Sequence, residues 1–453
     1  MKAHRIIVVG GNAAGPAAAA KAKRMNPSAK VSLFESGNYI STGTCEIPYV
    51  LSGDIKSYED IIFNTAETFL NKKGVKVFVN HSVEEINRKS KTISVRDNLS
   101  GNSDEHPYDA LVLATGSYAK SIPGFSNELK NVFYLKNIQD LIAIKEYLQS
   151  NSVSHATVIG AGYIGLEAAD ALFNLDLKVT IIDKQSLPLS GAEPEISNKI
   201  IGVLKEHSIQ LITENNDIEP YTINNNVVSL KCDQNFFDTD IVIIAAGISP
   251  NNHLADNAKL EIGTYRGIRV DQKLRSSDRN IFAAGDNIEI KNAITGKNDY
   301  IPFATYAHSY GHIAGENAAG GNKNAMPVIK NVSVKIFNDY VASVGLNSNH
   351  DEGFRFKLVS VSAEIPNLVS VMPSSRNVFG KLVFDVNNKK ILGASFYGGT
   401  EISGYADLIS SAIYSGQKID FLTKINYNYT PPLSPFINLL SVLGRKAAEK
   451  STK

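Results

Sequence analysis

Two stretches of the chain repeat one hydrophobic pattern: a short apolar run, a glycine-rich turn, an alanine-rich segment, and a second apolar run ending in an acid. The first reads Ile6-Ile7-Val8-Val9, Gly10-Gly11-Asn12-Ala13-Ala14-Gly15, a segment to about Met25, then Val31-Ser32-Leu33-Phe34-Glu35. The second reads Ala156-Thr157-Val158-Ile159, Gly160-Ala161-Gly162-Tyr163-Ile164-Gly165, a segment to about Asn174, then Lys178-Val179-Thr180-Ile181-Ile182-Asp183. Short apolar runs bounded by glycine predict buried strands, and the longer segment between them predicts a crossover helix, so each copy is a βαβ unit. Each is followed by an apolar run ending in small residues, Leu111 to Gly116 and Ile241 to Gly247, and a third such run, Ile281 to Asp286, comes later. Beyond Gly320-Gly321-Asn322-Lys323-Asn324 the pattern turns to alternation, as in Val332-Ser333-Val334-Lys335-Ile336 and Lys381-Leu382-Val383-Phe384, and an amphipathic helix is expected over about Ile402 to Ser415.

The expected fold class is therefore α/β: two Rossmann-like dinucleotide-binding domains followed by an α+β domain. Residues 1–115 and 248–325 are expected to form the two parts of the first domain, 116–247 the second, and 326–453 the last. A chain of 453 residues suits this division, at roughly 100–200 residues per domain.

The glycine turns carry the first candidate chemistry. Gly160, Gly162 and Gly165 complete G-x-G-x-x-G around Tyr163 and Ile164, and Asp183 follows Gly165 by 18 residues. Small residues there let backbone N–H groups approach a pyrophosphate at the positive end of the helix, while the acid accepts from a ribose hydroxyl. The first turn has Gly10, Gly11, Ala14 and Gly15, with Asn12 in the middle glycine's place and Glu35 20 residues after Gly15. Thr115, Gly116, Gly247, Gly285 and Asp286 end the later strands and are further cofactor-facing candidates. Asp286 could hold a sugar or ribityl hydroxyl; its plain alternative is a helix N-cap.

Composition narrows the partners. Lys+Arg 46 against Asp+Glu 45 leaves no global field to recruit nucleic acid or an anionic membrane. No secretory apolar segment and no apolar run of about 18 residues is present, so a cytoplasmic protein is expected. Cys45 and Cys232, far apart in sequence, make no disulfide framework and suggest free thiols.

Taken together, these residues resemble the pyridine nucleotide-disulphide oxidoreductases along essentially the whole chain. The resemblance implies FAD on the first unit, NADH or NADPH on the second, a return of Gly285-Asp286 to the flavin, and a last domain that builds a homodimer. Ser41-Thr42-Gly43-Thr44-Cys45-Glu46-Ile47-Pro48-Tyr49 stands where a Cys-x4-Cys pair could be, which resembles the family's single-cysteine branch of coenzyme A disulphide reductases, persulphide reductases, NADH oxidases and peroxidases. Ala13 stands where peroxidases and water-forming oxidases carry a histidine, and Tyr429-Thr430-Pro431-Pro432 matches a tyrosine of the coenzyme A enzymes. Val371-Met372-Pro373 replaces a second such tyrosine, and Glu46 replaces the usual small residue after the cysteine.

The resemblance thus implies catalytic roles for Cys45 and Tyr429, with Ser41, Lys23 and Arg24 as substrate-binding candidates and Lys21, Lys72 and Lys73 as further phosphate-binding ones. The substrate is expected to be a small disulphide or persulphide; the alternatives are oxygen or peroxide reduction through a Cys45 sulphenic acid, and a flavin-bearing redox sensor. A following helix start at Pro48 favours the thiolate of Cys45 while Glu46 opposes it, so the net direction stays open. Asp183 favours NADH by repelling a 2′-phosphate, and Lys184 beside it keeps NADPH in view.

Overall fold

The computed structural model describes residues 4–215, 217–350 and 356–451. One parallel sheet holds Ile281–Ala283, Ala110–Leu113, Arg5–Val9, Lys30–Phe34 and Lys76–Phe78, in that order. A second repeats it with Val132–Tyr134, Ile241–Ile244, His155–Ile159, Lys178–Ile182 and Gln210–Ile212. The central strands are buried along almost their whole length, which is why they read as continuous apolar runs rather than alternating ones. Each unit also carries a three-stranded antiparallel flap, within 81–107 and 218–238, inserted just before the strand that returns beside its first.

The first unit is completed from far along the chain. Ile281–Ala283 pairs with Ala110–Leu113, and the helix Ala304–Ala318 packs along the helix Ala14–Met25. The two helices touch backbone to backbone: a Cβ at Gly311 would lie 2.3 Å from the Ala14 carbonyl oxygen, and one at Gly315 2.1 Å from that of Ala18. Both crossings between the units run side by side, Ser117–Ala119 pairing antiparallel with Ile248–Pro250.

The C-terminal part is an antiparallel sheet in the order Asn331–Ile336, Asp339–Gly345, Ile391–Gly398, Asn377–Asp385, Leu358–Pro366. Helices Ile402–Tyr414 and Leu439–Lys450 cover it, closing a core around Phe384, Phe396, Leu439 and Leu443. No helix among the described residues is long and apolar enough to cross a membrane.

Candidate active site

The two glycine turns share one geometry. Gly10 has φ +107°, and a Cβ there would lie 2.1 Å from the Ala114 carbonyl oxygen; one at Gly15 would lie 1.8 Å from that of Gly10. In the second unit Gly160, at φ +114°, faces Ala245 at 2.4 Å, and Gly165 faces Gly160 at 1.8 Å. Backbone meeting backbone leaves no side chain that fits at these four positions. The middle position differs, because a Cβ at Gly162 would meet nothing within 4 Å. Its bareness leaves room for a ligand rather than for the fold, and Asn12, its counterpart, has an exposed side chain.

The acids also match. Glu35 accepts from the N–H of Gly11 at 2.6 Å and of Gly37 at 2.7 Å; Asp183 accepts from Ala161 at 2.5 Å and Gln185 at 2.7 Å. Each carboxylate is fixed at the rim of its own turn with lone pairs to spare for ribose hydroxyls. Ser41, at φ +52°, donates its N–H to Gly11 at 2.8 Å, and Ala14 packs beneath Gly285, whose Cβ would lie 3.1 Å from its own.

Asp286 is not a helix cap: it lies in a turn after Ile281–Ala283, accepts from Ser117 Oγ at 3.0 Å, and lies 3.8 Å from Lys136 Nζ. Next to it the fully buried Asn287 donates to the Leu113 carbonyl and to Thr115 Oγ1, while its Oδ1 has no donor among the described residues. A buried carbonyl oxygen without a donor suits the polar edge of a bound flavin. Open space over Gly162, matched turns and anchored acids fit a dinucleotide at each unit. Gly116 and Gly247 lie at the roots of the crossing ribbon, accepting from Asn251 and Lys120 at 2.9 Å.

Cys45 occupies a short 3-10 turn, Thr44–Glu46, directly before the helix Ile47–Ser52. The residue is exposed, yet the groups packed around it desolvate the thiol and push its pKa up; Glu46 and then Glu167 add to the shift, Lys136 opposes them, and Asp286 adds slightly. The direction left open by the sequence is therefore upward. Six residues make a short helix, and three carboxylates outnumber one ammonium. The Glu46 carboxylate folds back over Gly43, where a Cβ would lie 2.5 Å from it.

Glu167 and Lys136 escaped sequence reasoning as members of this group, and Tyr49 entered it only as part of the cysteine motif. Glu167 lies on the helix Tyr163–Phe173 and faces Tyr49 of the helix Ile47–Ser52; burial raises its pKa to about 7, the Tyr49 hydrogen bond opposes the rise, and Asp170 adds to it. The available signal was that Glu167 and Asp170 are the only charges in an otherwise apolar helix. Burial also pushes Tyr163, at the first turn of that helix, to about 12.

Tyr429 stands outside this group within the chain: it is 47% exposed, and its ring packs edge-on against Phe436. Val371-Met372-Pro373, in place of the second expected tyrosine, lies in a turn with Val371 exposed and Met372 half-buried. The Lys23 ammonium is engaged by the carbonyls of Pro27 and Ala29, both at 2.8 Å, and Lys21 pairs with Glu316 at 2.9 Å. Arg24 is exposed near His312, and Lys72 and Lys73 are exposed at the end of the helix Ala66–Lys73. Cys232 is buried in an apolar cluster of the second unit.

Two matched glycine turns with anchored acids and a single exposed thiol in the first unit fit a dinucleotide-dependent oxidoreductase. Residues 4–311 match the family model described as pyridine nucleotide-disulphide oxidoreductase, and the chain belongs to that family, whose enzymes use FAD and NAD(P)H. It is 30% identical over 448 residues to an NADH oxidase of Methanocaldococcus jannaschii, covering 98% of this chain and 99% of that one. It is 29% identical over 455 residues to a coenzyme A disulfide reductase of Staphylococcus haemolyticus, again covering 98% and 99%. The solved NAD-dependent persulfide reductase of A. fulgidus superposes with a TM-score of 0.94 at 30% identity, over 99% of this chain and 84% of that one.

Proposed function

We propose that the chain reduces coenzyme A disulphide, or a closely related disulphide or persulphide, at Cys45. The observation that carries this reading is one exposed thiol set among Lys136, Glu167 and Asp286, where the two dinucleotide units meet, while Cys232 is buried away from it. One cysteine suffices when the substrate brings the second sulphur. Bound FAD supplies two-electron transfer from NAD(P)H to sulphur.

The chain's own residues do the rest. Gly10, Gly11, Ala14, Gly15, Glu35, Ser41, Thr115, Gly116, Gly285 and Asp286 frame the flavin site, and Gly160, Gly162, Tyr163, Ile164, Gly165, Asp183 and Gly247 frame the nicotinamide dinucleotide site. Residues 1–115 with 248–325 are the first domain, 116–247 the second, and 326–453 the third. The Cys45 thiolate attacks one sulphur of the disulphide, one coenzyme A thiolate leaves, and the other half stays on Cys45 as a mixed disulphide. Two electrons from NAD(P)H and a proton then free it, so the sum is NAD(P)H, a proton and one disulphide giving NAD(P)+ and two thiols. Lys136 is the cation beside Cys45 and holds the developing thiolate. Arg24 meets a substrate phosphate.

Tyr429 is brought to Cys45 by a second copy of the chain, which the exposed Leu433, Phe436 and Ile437 beside it support as a homodimer face. An exposed thiol suits a reducing, cytoplasmic setting. Oxygen or peroxide reduction is the second reading, favoured by the M. jannaschii relative's name and disfavoured by Ala13, which offers no acid or base. The test is NAD(P)H turnover by the FAD-loaded enzyme with coenzyme A disulphide, a persulphide, oxygen and peroxide in parallel. Coenzyme A disulphide or persulphide should give the highest kcat/KM; oxygen or peroxide giving it would select the second reading.

A further inference from the structure

The loop that follows Asp183 crosses the second glycine turn and ends at the start of the helix Pro194–Glu206, against the C-terminal part. Leu189 donates its N–H to the Ala161 carbonyl at 2.9 Å, inside the G-x-G, and does so buried at φ +46°. A leucine keeps a left-handed conformation only where its surroundings over-determine it. Four residues on, Glu193 is fully buried and its carboxylate reaches the C-terminal part: it accepts from the Ser348 N–H at 2.7 Å, from Ser348 Oγ at 2.5 Å and from Lys381 Nζ at 2.9 Å. Lys381, itself 9% exposed, also holds Glu195 at 3.0 Å, and Asn347 donates to the Gly191 carbonyl at 2.9 Å. A buried ion pair contributes little to net stability once desolvation is counted, and its more durable effect is to fix one arrangement.

We propose that Glu193, clamped by Lys381 and Ser348, is a positioning residue for the pyridine nucleotide: through it the C-terminal domain holds the 184–192 loop against the second glycine turn and helps set dinucleotide affinity. This rests on the reading that the second unit holds NAD(P)H. The clamp touches neither Asp183 nor the turn directly; it acts by keeping Leu189 on Ala161.

The experiment uses FAD-loaded protein and ADP-ribose, the half of the dinucleotide that meets Asp183, titrated by calorimetry into wild type, Lys381→Met, Lys381→Arg, Ser348→Ala and Asp183→Asn. Lys381→Met should weaken ADP-ribose binding about tenfold, an ordinary coupling between sites. Ser348→Ala should weaken it less, and Lys381→Arg should keep most of the affinity. In steady state the KM for NADH should rise in step while kcat and the acceptor KM hold, a split that general loosening of the fold would not give. Unchanged affinity in Ser348→Ala and Lys381→Met, or in Ser348→Ala alone if Lys381→Met does not fold, overturns the proposal. If wild type and Asp183→Asn bind ADP-ribose equally poorly, the assignment of the second unit is what fails, and the proposal falls with it.

Discussion

Glu167 is a carboxyl group held near neutrality inside the protein, and that has a measurable price in stability above pH 5. Its pKa rises from an ordinary 4.5 to about 7, chiefly because burial penalises the anion. The folded chain therefore binds more protons than the unfolded one between those two values, and stability attributable to this group falls as pH rises through that window. A shift of that size corresponds to about 3 kcal/mol, at roughly 1.4 kcal/mol per pH unit. Glu167→Gln keeps the shape and an acceptor for the Tyr49 hydroxyl but cannot ionise. Urea unfolding of FAD-loaded wild type and variant should show nearly equal stability at pH 4.5 to 5, with the variant ahead by up to about 3 kcal/mol at pH 8. A wild-type-to-variant difference that is the same at pH 5 and pH 8 would refute the reasoning, because it would mean Glu167 titrates alike in both states.

Other substitutions separate the glycines by what each must accommodate. Gly15→Ala forces a Cβ to 1.8 Å from the Gly10 carbonyl oxygen and should yield protein purified without bound FAD, read from its visible absorbance. Gly162→Ala should leave stability within about 0.5 kcal/mol, since its Cβ meets nothing, while weakening NADH binding about tenfold; an unchanged NADH Kd would show that the space over it is not ligand space. Glu46→Gln removes the second-largest influence raising the Cys45 pKa, so the pH profile of Cys45 alkylation by iodoacetamide should move to lower pH, and an unmoved profile would count against the electrostatic account.

The parallel sheets were legible because both faces of each central strand are covered, which writes them as continuous apolar runs, and because Gly10, Gly15, Gly160 and Gly165 answer to local backbone contacts. The helix over Ile402–Tyr414 was equally readable from its amphipathic period. Asn12, by contrast, marks a real difference between the two motifs: its counterpart Gly162 faces open space, whereas the exposed Asn12 side chain accepts from Thr42 Oγ1 at 3.4 Å. The surroundings of Cys45 were hard to read for a different reason. Lys136, Glu167 and Asp286 come from three separate segments, and only the packing of the second unit against the first brings their charges to one sulphur. The Glu193 clamp joins residues 155 and more apart in the chain, and no local pattern records such a pair.

The central claim is that a substrate sulphur becomes bonded to Cys45, and intact-protein mass spectrometry tests it most directly. FAD-loaded enzyme would be reduced anaerobically with one equivalent of NADH, freed of nucleotide, and mixed with two equivalents of coenzyme A disulphide, the first taking up the two electrons from NADH and the second leaving its half on Cys45. The account predicts a wild-type chain heavier by one coenzyme A moiety, mapped to Cys45, lost on adding a second equivalent of NADH, and missing from Cys45→Ser. An enzyme that turns over coenzyme A disulphide with no such adduct, or a Cys45→Ser variant that turns it over at the wild-type rate, would contradict it.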